Sequence, residues 1–198
     1  MNLEELSKQF RRLPGVGPRT AEKMAYYWLT LEDEEAEQFV HTLENFRHEV
    51  GLCVRCHNLA VGSDLCEICN DNRREKSIVI VETPQDVENI EQAGIYHGYY
   101  HVLNGLISPR RGITPDQLFI SDLKERIMNE GIKQIIIATS FTLEGDITAD
   151  YLTKQLHGLG VPIYRLGAGL PVGGELNYAD KATLKAAFMT KHEVGEEE

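Results

Sequence analysis

The chain has 198 residues, 42% of them hydrophobic and 26% charged, ordinary proportions for a globular protein long enough for one large domain or two to three small ones. No apolar run approaches the roughly 18 residues of a membrane-spanning helix, and the opening MNLEELSKQF is too polar and acidic for a secretory signal. A cytoplasmic protein is therefore expected, with its four cysteines reduced and more suited to metal than to disulfides. The formal net charge of −11 is unevenly spread: residues 1–31 hold five Lys/Arg against three Asp/Glu, and residues 32–50 hold one against seven. Net charge governs long-range steering, but contact is decided by the local patch, so the first thirty residues are the place for an anionic partner.

Leu3, Leu6, Phe10 and Leu13 follow helical spacing, predicting a helix over 2–12 that Pro14 and Gly15 end. Helical spacing returns with Ala21, Met24, Ala25, Trp28 and Leu29. A third helix is expected over 33–50, with Ala36, Phe39, Val40, Leu43 and Phe46 inward and an acidic outer face. Residues 51–75 lack a clean period and contain all the cysteines. Ser77–Val81 (SIVIV) then reads as a buried strand, 84–93 as a helix, 99–103 as a strand and 115–130 as a helix. Gln134–Ala138 (QIIIA) is the clearest strand, followed by a helix over 144–157 and a strand near 161–166. Strands alternating with helices imply a mainly parallel sheet. The expected class is α+β and multi-modular: a helical unit over 1–52, a cysteine module over 53–76, an α/β domain over 77–172, and a C-terminal arm, helix and disordered acidic tail over 173–198.

The segment LPGVGPRTA, residues 13–21, places Gly15 and Gly17 in a short turn before a helix carrying Arg19 and Lys23 four residues apart. This is the helix-hairpin-helix pattern: glycines admit a phosphate close to the backbone, and the amides at the next helix's start form an anion site. Lys8, Arg11 and Arg12 can extend the patch. Such a site contacts phosphates and reads no bases, so binding should be salt-sensitive and sequence-independent. The competing reading is a tight helical corner. Cys53, Cys56, Cys66 and Cys69 stand as C-x2-C, nine residues, C-x2-C. Two knuckles at that spacing complete a tetrahedron around one structural zinc ion with no open position. The competing readings are a redox pair or plain thiols, and His57 beside Cys56 is taken as a bystander. Glu82, Glu144 and Asp146 follow two strands, where ligand sites of open parallel sheets gather, and can converge on Mg²⁺. They serve equally well as acids favoured near helix starts. The glycine-rich stretch 165–176 (RLGAGLPVGGEL) lacks a phosphate-loop lysine and reads as an arm that packs on a neighbour.

Taken in order, RLPGVGPRTAEKMA, the four-cysteine module, VETPQDV, YHVLNGLISPRRGI, EGDITA and RLGAGLPVGGELNYAD resemble the bacterial RecR family from Leu3 to about Phe188. The resemblance implies a Toprim domain over about 77–172. It also implies a non-catalytic, nucleoid-associated recombination mediator that binds single- and double-stranded DNA and acts with RecO, in some bacteria RecF, to load RecA on SSB-coated strands. It makes Arg19 and Lys23 the DNA contacts and Glu82, Glu144 and Asp146 the Toprim acids. It further implies a homo-oligomer, a dimer or tetrameric ring, joined through the hairpins and the C-terminal arm. Ser140-Phe141 stands where the family often has Asn-Pro, and Asp146 where Glu is usual. The rivals are a Mg²⁺-dependent primase-like or DNA-nicking enzyme using the three acids, and an assembly adaptor that never touches DNA.

Overall fold

The structure is a computed structural model that describes residues 2–167, 169–170 and 173–190. It divides at Gly51/Leu52 into two compact units, the second containing both the cysteine module and the α/β region.

The first unit is helical. Helix α1 (Leu3–Phe10) starts at a reciprocal capping box between Asn2 and Glu5, which satisfies two otherwise free backbone amides. Helix α2 (Pro18–Trp28) starts at Gly17 with proline in its first turn, and buries Ala21 and Ala25. Helix α3 (Asp33–Glu49) opens with three acids and ends with Arg47 and His48, both matched to the helix dipole. One expectation fails here. Phe39, Val40, Leu43 and Phe46 do not face inward but are 43–61% exposed. Trp28 meets Phe39 edge-on at 5.3 Å, but the stripe has no covering layer among the described residues of the unit.

Strand β1 (Val50–Leu52), which runs across that division, and β2 (Leu59–Val61) form a two-stranded sheet, and in the second unit a short helix α4 (Glu67–Asn70) carries the last cysteine. Then come β3 (Ser77–Val81), α5 (Pro84–Ala93), β4 (Tyr99–Val102), α6 (Leu123–Glu130), β5 (Gln134–Ile137), α7 (Leu143–Leu156) and β6 (Ile163–Arg165). The sheet order is β4-β3-β5-β6, with every pair parallel. Because side chains alternate along a strand, Ile78 and Ile80 pack with Ile135, Ile137, Leu123, Ile127, Leu152 and Leu156 on the α6/α7 face. Val79 and Val81 pack with Tyr100, Val102 and Val87 on the α5 face. This is the mixed helical and α/β architecture expected from the sequence.

Residues 115–130 are not one helix. A 3-10 turn spans Pro115–Gln117, and α6 begins only at Leu123. Between them Leu118 is extended, the Phe119 amide bonds the Leu103 carbonyl at 3.1 Å, and Leu118 and Ile120 are both buried. Burial two residues apart is a strand-like requirement that a helix cannot meet. After β6 come a 3-10 turn (Leu176–Tyr178) and α8 (Lys181–Met189), capped by Asp180. The expected arm over 165–176 falls partly outside the described residues, and the expected tail wholly so. Among the described residues no helix is long and apolar enough to cross a membrane.

Candidate functional site

Three groups of residues carry chemistry. The first is the turn between α1 and α2. Gly15 has φ +77, a conformation that side chains resist. Gly17 is extended, and a Cβ there would meet no atom within 4 Å. Nothing among the described residues demands glycine at 17, so its open face suits an approaching ligand. Arg19 and Lys23 are exposed one turn apart on α2 and form no ion pair among the described residues. Lys8 is held by Glu4 at 3.0 Å and Arg12 by Gln9 at 3.1 Å, so those two cations are partly engaged.

The second group is the four cysteines. All are buried, and their sulfurs lie within 4.8 Å of one another. The Cys56 and Cys66 sulfurs are 3.5 Å apart, close to the separation of two thiolates on one tetrahedral ion. Hydrogen bonds from Cys56 and then Cys69 hold the Cys66 thiol well below its ordinary value. The group can bind a metal ion, and its chemistry fits one: four buried thiolates without a cation would repel one another in a desolvated site.

The module is fastened to the sheet by residues around the cysteines. The Val102 amide donates to the Cys56 carbonyl at 2.8 Å. Arg55 reaches Glu130 at 2.7 Å and the Cys69 carbonyl at 2.9 Å. Arg126 bonds the same Glu130 oxygen at 2.9 Å. His57 is no bystander: at φ +61 its ring stacks on Phe119 with 3.9 Å between centroids and pairs with Asp122 at 2.8 Å. His57, His101 and Asp122 also form a potential metal-binding group, but both nitrogens of His101 are taken. Burial pushes His101 down to about 4, so the ring is neutral; Nε2–H donates to the Phe119 carbonyl at 2.7 Å, and Nδ1 lies 3.2 Å from Arg126. The links from the module to the sheet through Arg55–Glu130 and His57–Asp122 join residues 75 and 65 positions apart, and no local motif marks them.

The third group lies at the C-terminal edge of the sheet. Glu82 and Glu144 line one cleft of 350 Å³ with Ser108, Arg111, Ser140 and Thr142. The Glu82 carboxylate accepts the Ser140 amide at 2.5 Å. Thr142 caps α7 by accepting from the Gly145 amide. A Cβ on Gly145 would lie 2.0 Å from the Ser140 carbonyl oxygen, so only glycine fits between the two acids. Asp146 does not join the cleft. It pairs with Arg165 at 2.8 Å, and the three acids are not among the donor groups lying within 4.8 Å of one another.

Family models match three parts of the chain. Residues 3–47 match the family model for the RecR helix-hairpin-helix, 76–167 that for a Toprim domain and 169–191 that for the RecR C-terminal region. The recombination protein RecR of Rubrobacter xylanophilus is 39% identical over 98% of this chain and 97% of its own length. That of Desulfatibacillum aliphaticivorans is 41% identical over 96% of both chains. The chain belongs to the RecR family. A third RecR, from Paenarthrobacter aurescens, is 41% identical over 94% of each chain. The RecR helix-hairpin-helix match spans the turn with Gly15, Gly17, Arg19 and Lys23, and the Toprim match contains Glu82, Glu144, Asp146 and Arg165.

Proposed function

We propose that the chain is a non-catalytic recombination mediator of recombinational DNA repair. It grips DNA through the α1–α2 turn and acts in the cytoplasm with RecO, and in some bacteria RecF, to load RecA on SSB-coated single strands. The observation that carries this reading is the exposed, unpaired Arg19 and Lys23 behind two glycines that leave the backbone open. Gly15, Gly17, Lys8, Arg11 and Arg12 complete the phosphate-facing patch, which recognises single- and double-stranded DNA alike. Zinc in Cys53, Cys56, Cys66 and Cys69 holds the module together and does no chemistry on substrate. The uncovered apolar stripe of α3 supports a homo-oligomer, in which several hairpins act on one DNA and affinity rises with assembly.

The test is DNA retention across a salt series with wild type and the Arg19→Ala/Lys23→Ala double variant. Loss of two phosphate contacts is expected to weaken binding at least about tenfold at low salt and to flatten the salt slope by roughly two. Equal retention by the double variant would sink the DNA grip and leave the assembly adaptor. Plasmid nicking in Mg²⁺ that disappears with Glu144→Ala would sink the non-catalytic reading.

A further inference from the structure

The acidic sheet edge invites a divalent cation, but the residues present do not fit one. The Glu82 carboxylate is engaged by the Ser140 amide. Asp146 lies away from the cleft that Glu82 and Glu144 share, its Oδ1 bonded by an Arg165 Nη2 at 2.8 Å. The same Nη2 bonds the Ser140 carbonyl at 3.3 Å. The guanidinium also lies over the Phe141 ring, 5.3 Å from its centroid. Arg165 is thus held by a carboxylate, a carbonyl and an aromatic face, three groups that each favour a planar cation.

We propose that Arg165 is the resident counter-ion of this edge and keeps divalent cations out of it. Arg165 ends β6 and Asp146 lies in the first turn of α7, so the guanidinium spans from the edge strand to a helix start. A divalent ion coordinated by Asp146 would have to displace it and would then sit beside a fixed positive charge. The pair is part-exposed, with side chains 29% and 63% accessible, so the repulsion is screened, but removing a unit charge within a few ångströms of a divalent ion is still worth about tenfold in affinity. Phe141 is part of the device. A proline at that position would offer no ring face, so Ser140-Phe141 supplies both the carbonyl and the π-surface that hold the cation. The proposal is independent of the DNA grip.

The experiment is titration of the zinc-loaded full chain with Mn²⁺, following free Mn²⁺ by electron paramagnetic resonance. Wild type is expected to show no saturable site below about 1 mM, and Arg165→Lys, which keeps the charge, should behave alike. Arg165→Met should gain one site per chain, at least about tenfold tighter, and lose it again on adding Asp146→Asn. A folded Arg165→Met that gains nothing overturns the proposal. Should Arg165→Met fail to fold, wild type against Asp146→Asn decides: matching titrations support the proposal, and a wild-type Mn²⁺ site lost in Asp146→Asn overturns it.

Discussion

In residues 1–51 the buried apolar side chains among the described residues are two alanines, Ala21 and Ala25, while Leu13, Tyr26, Tyr27, Leu29, Phe39, Val40, Leu43 and Phe46 stay exposed. In the α/β unit both faces of the sheet are covered, and Tyr99, Tyr100, Ile78, Ile80, Leu103, Ile135 and Leu152 are essentially inaccessible. Apolar periodicity marks the helices and strands of both units, yet only one of them consumes most of its apolar residues internally. Periodicity reports that a face will be covered and is silent on which molecule covers it. The α/β unit finds its cover within the chain because sheets need layers on both faces and α5, α6 and α7 supply them. The helical unit has three helices and, among its described residues, no third layer over the stripe, which is the kind of exposed apolar face that an interaction surface requires.

Three experiments press on that contrast. The largest effect is expected from Cys66→Ser. Structural zinc contributes on the order of 10 kcal/mol to folding of small zinc modules, so the variant should lose its metal by elemental analysis. Calorimetry should show the α/β transition move to markedly lower temperature while the helical unit retains its circular dichroism. Unchanged α/β melting would mean that the module is not what fastens the sheet.

Next is Glu130→Gln. Burial raises the Glu130 carboxyl, but the Arg55 hydrogen bond and the Arg126 charge outweigh it and hold it below the usual carboxylate value. Removing this charge leaves Arg126, only 5% exposed at its side chain, with no anion, at a cost of about 3–5 kcal/mol. The sign in pH follows. Because the folded-state value is depressed, the stabilisation is present above the unfolded value near 4.5 and is lost as pH falls through the folded one. Denaturant titrations at pH 7 and at progressively lower pH should show the gap between wild type and variant close.

The smallest thermodynamic effect belongs to Leu43→Glu on the α3 stripe. With the side chain 57% exposed in the single chain, the substitution should change the stability of the isolated chain by less than about 0.5 kcal/mol. Solution mass by light scattering should nonetheless fall toward the monomer. A large loss of stability with no change in mass would place the cover of α3 inside the chain and dissolve the contrast.

The strands were the most legible part of the fold. SIVIV and QIII are β-branched runs, and their ends fall within a residue of the observed ones. The stretch 115–130 misled because Leu118, Leu123 and Ile127 fall close to helical spacing, whereas the Phe119 amide bonds the Leu103 carbonyl, and Leu118 and Ile120 join the sheet's core cluster on either side of it. The four cysteines announced their own cluster, since two C-x2-C knuckles nine residues apart can fold back onto one ion. His57, Asp122, Glu130 and Arg165 were invisible as a fastening and a counter-ion. Each works through a partner between 19 and 75 residues away, and a lone charged or aromatic residue carries no sign of such a partner.

The hydrogen bond from the Val102 amide to the Cys56 carbonyl has a further consequence. Strand β4 lies at the rim of the parallel sheet, and a rim strand with free amides is a template on which another chain can add its own. The cysteine module occupies that rim. A chain without metal at the four cysteines would therefore do more than lose a small domain: it would offer the Val102 amide of strand Tyr99–Val102 to its neighbours. Zinc-depleted protein is expected to leave solution by strand addition, and a proline at 102, which has no amide to offer, should slow that loss even as it weakens the docked state.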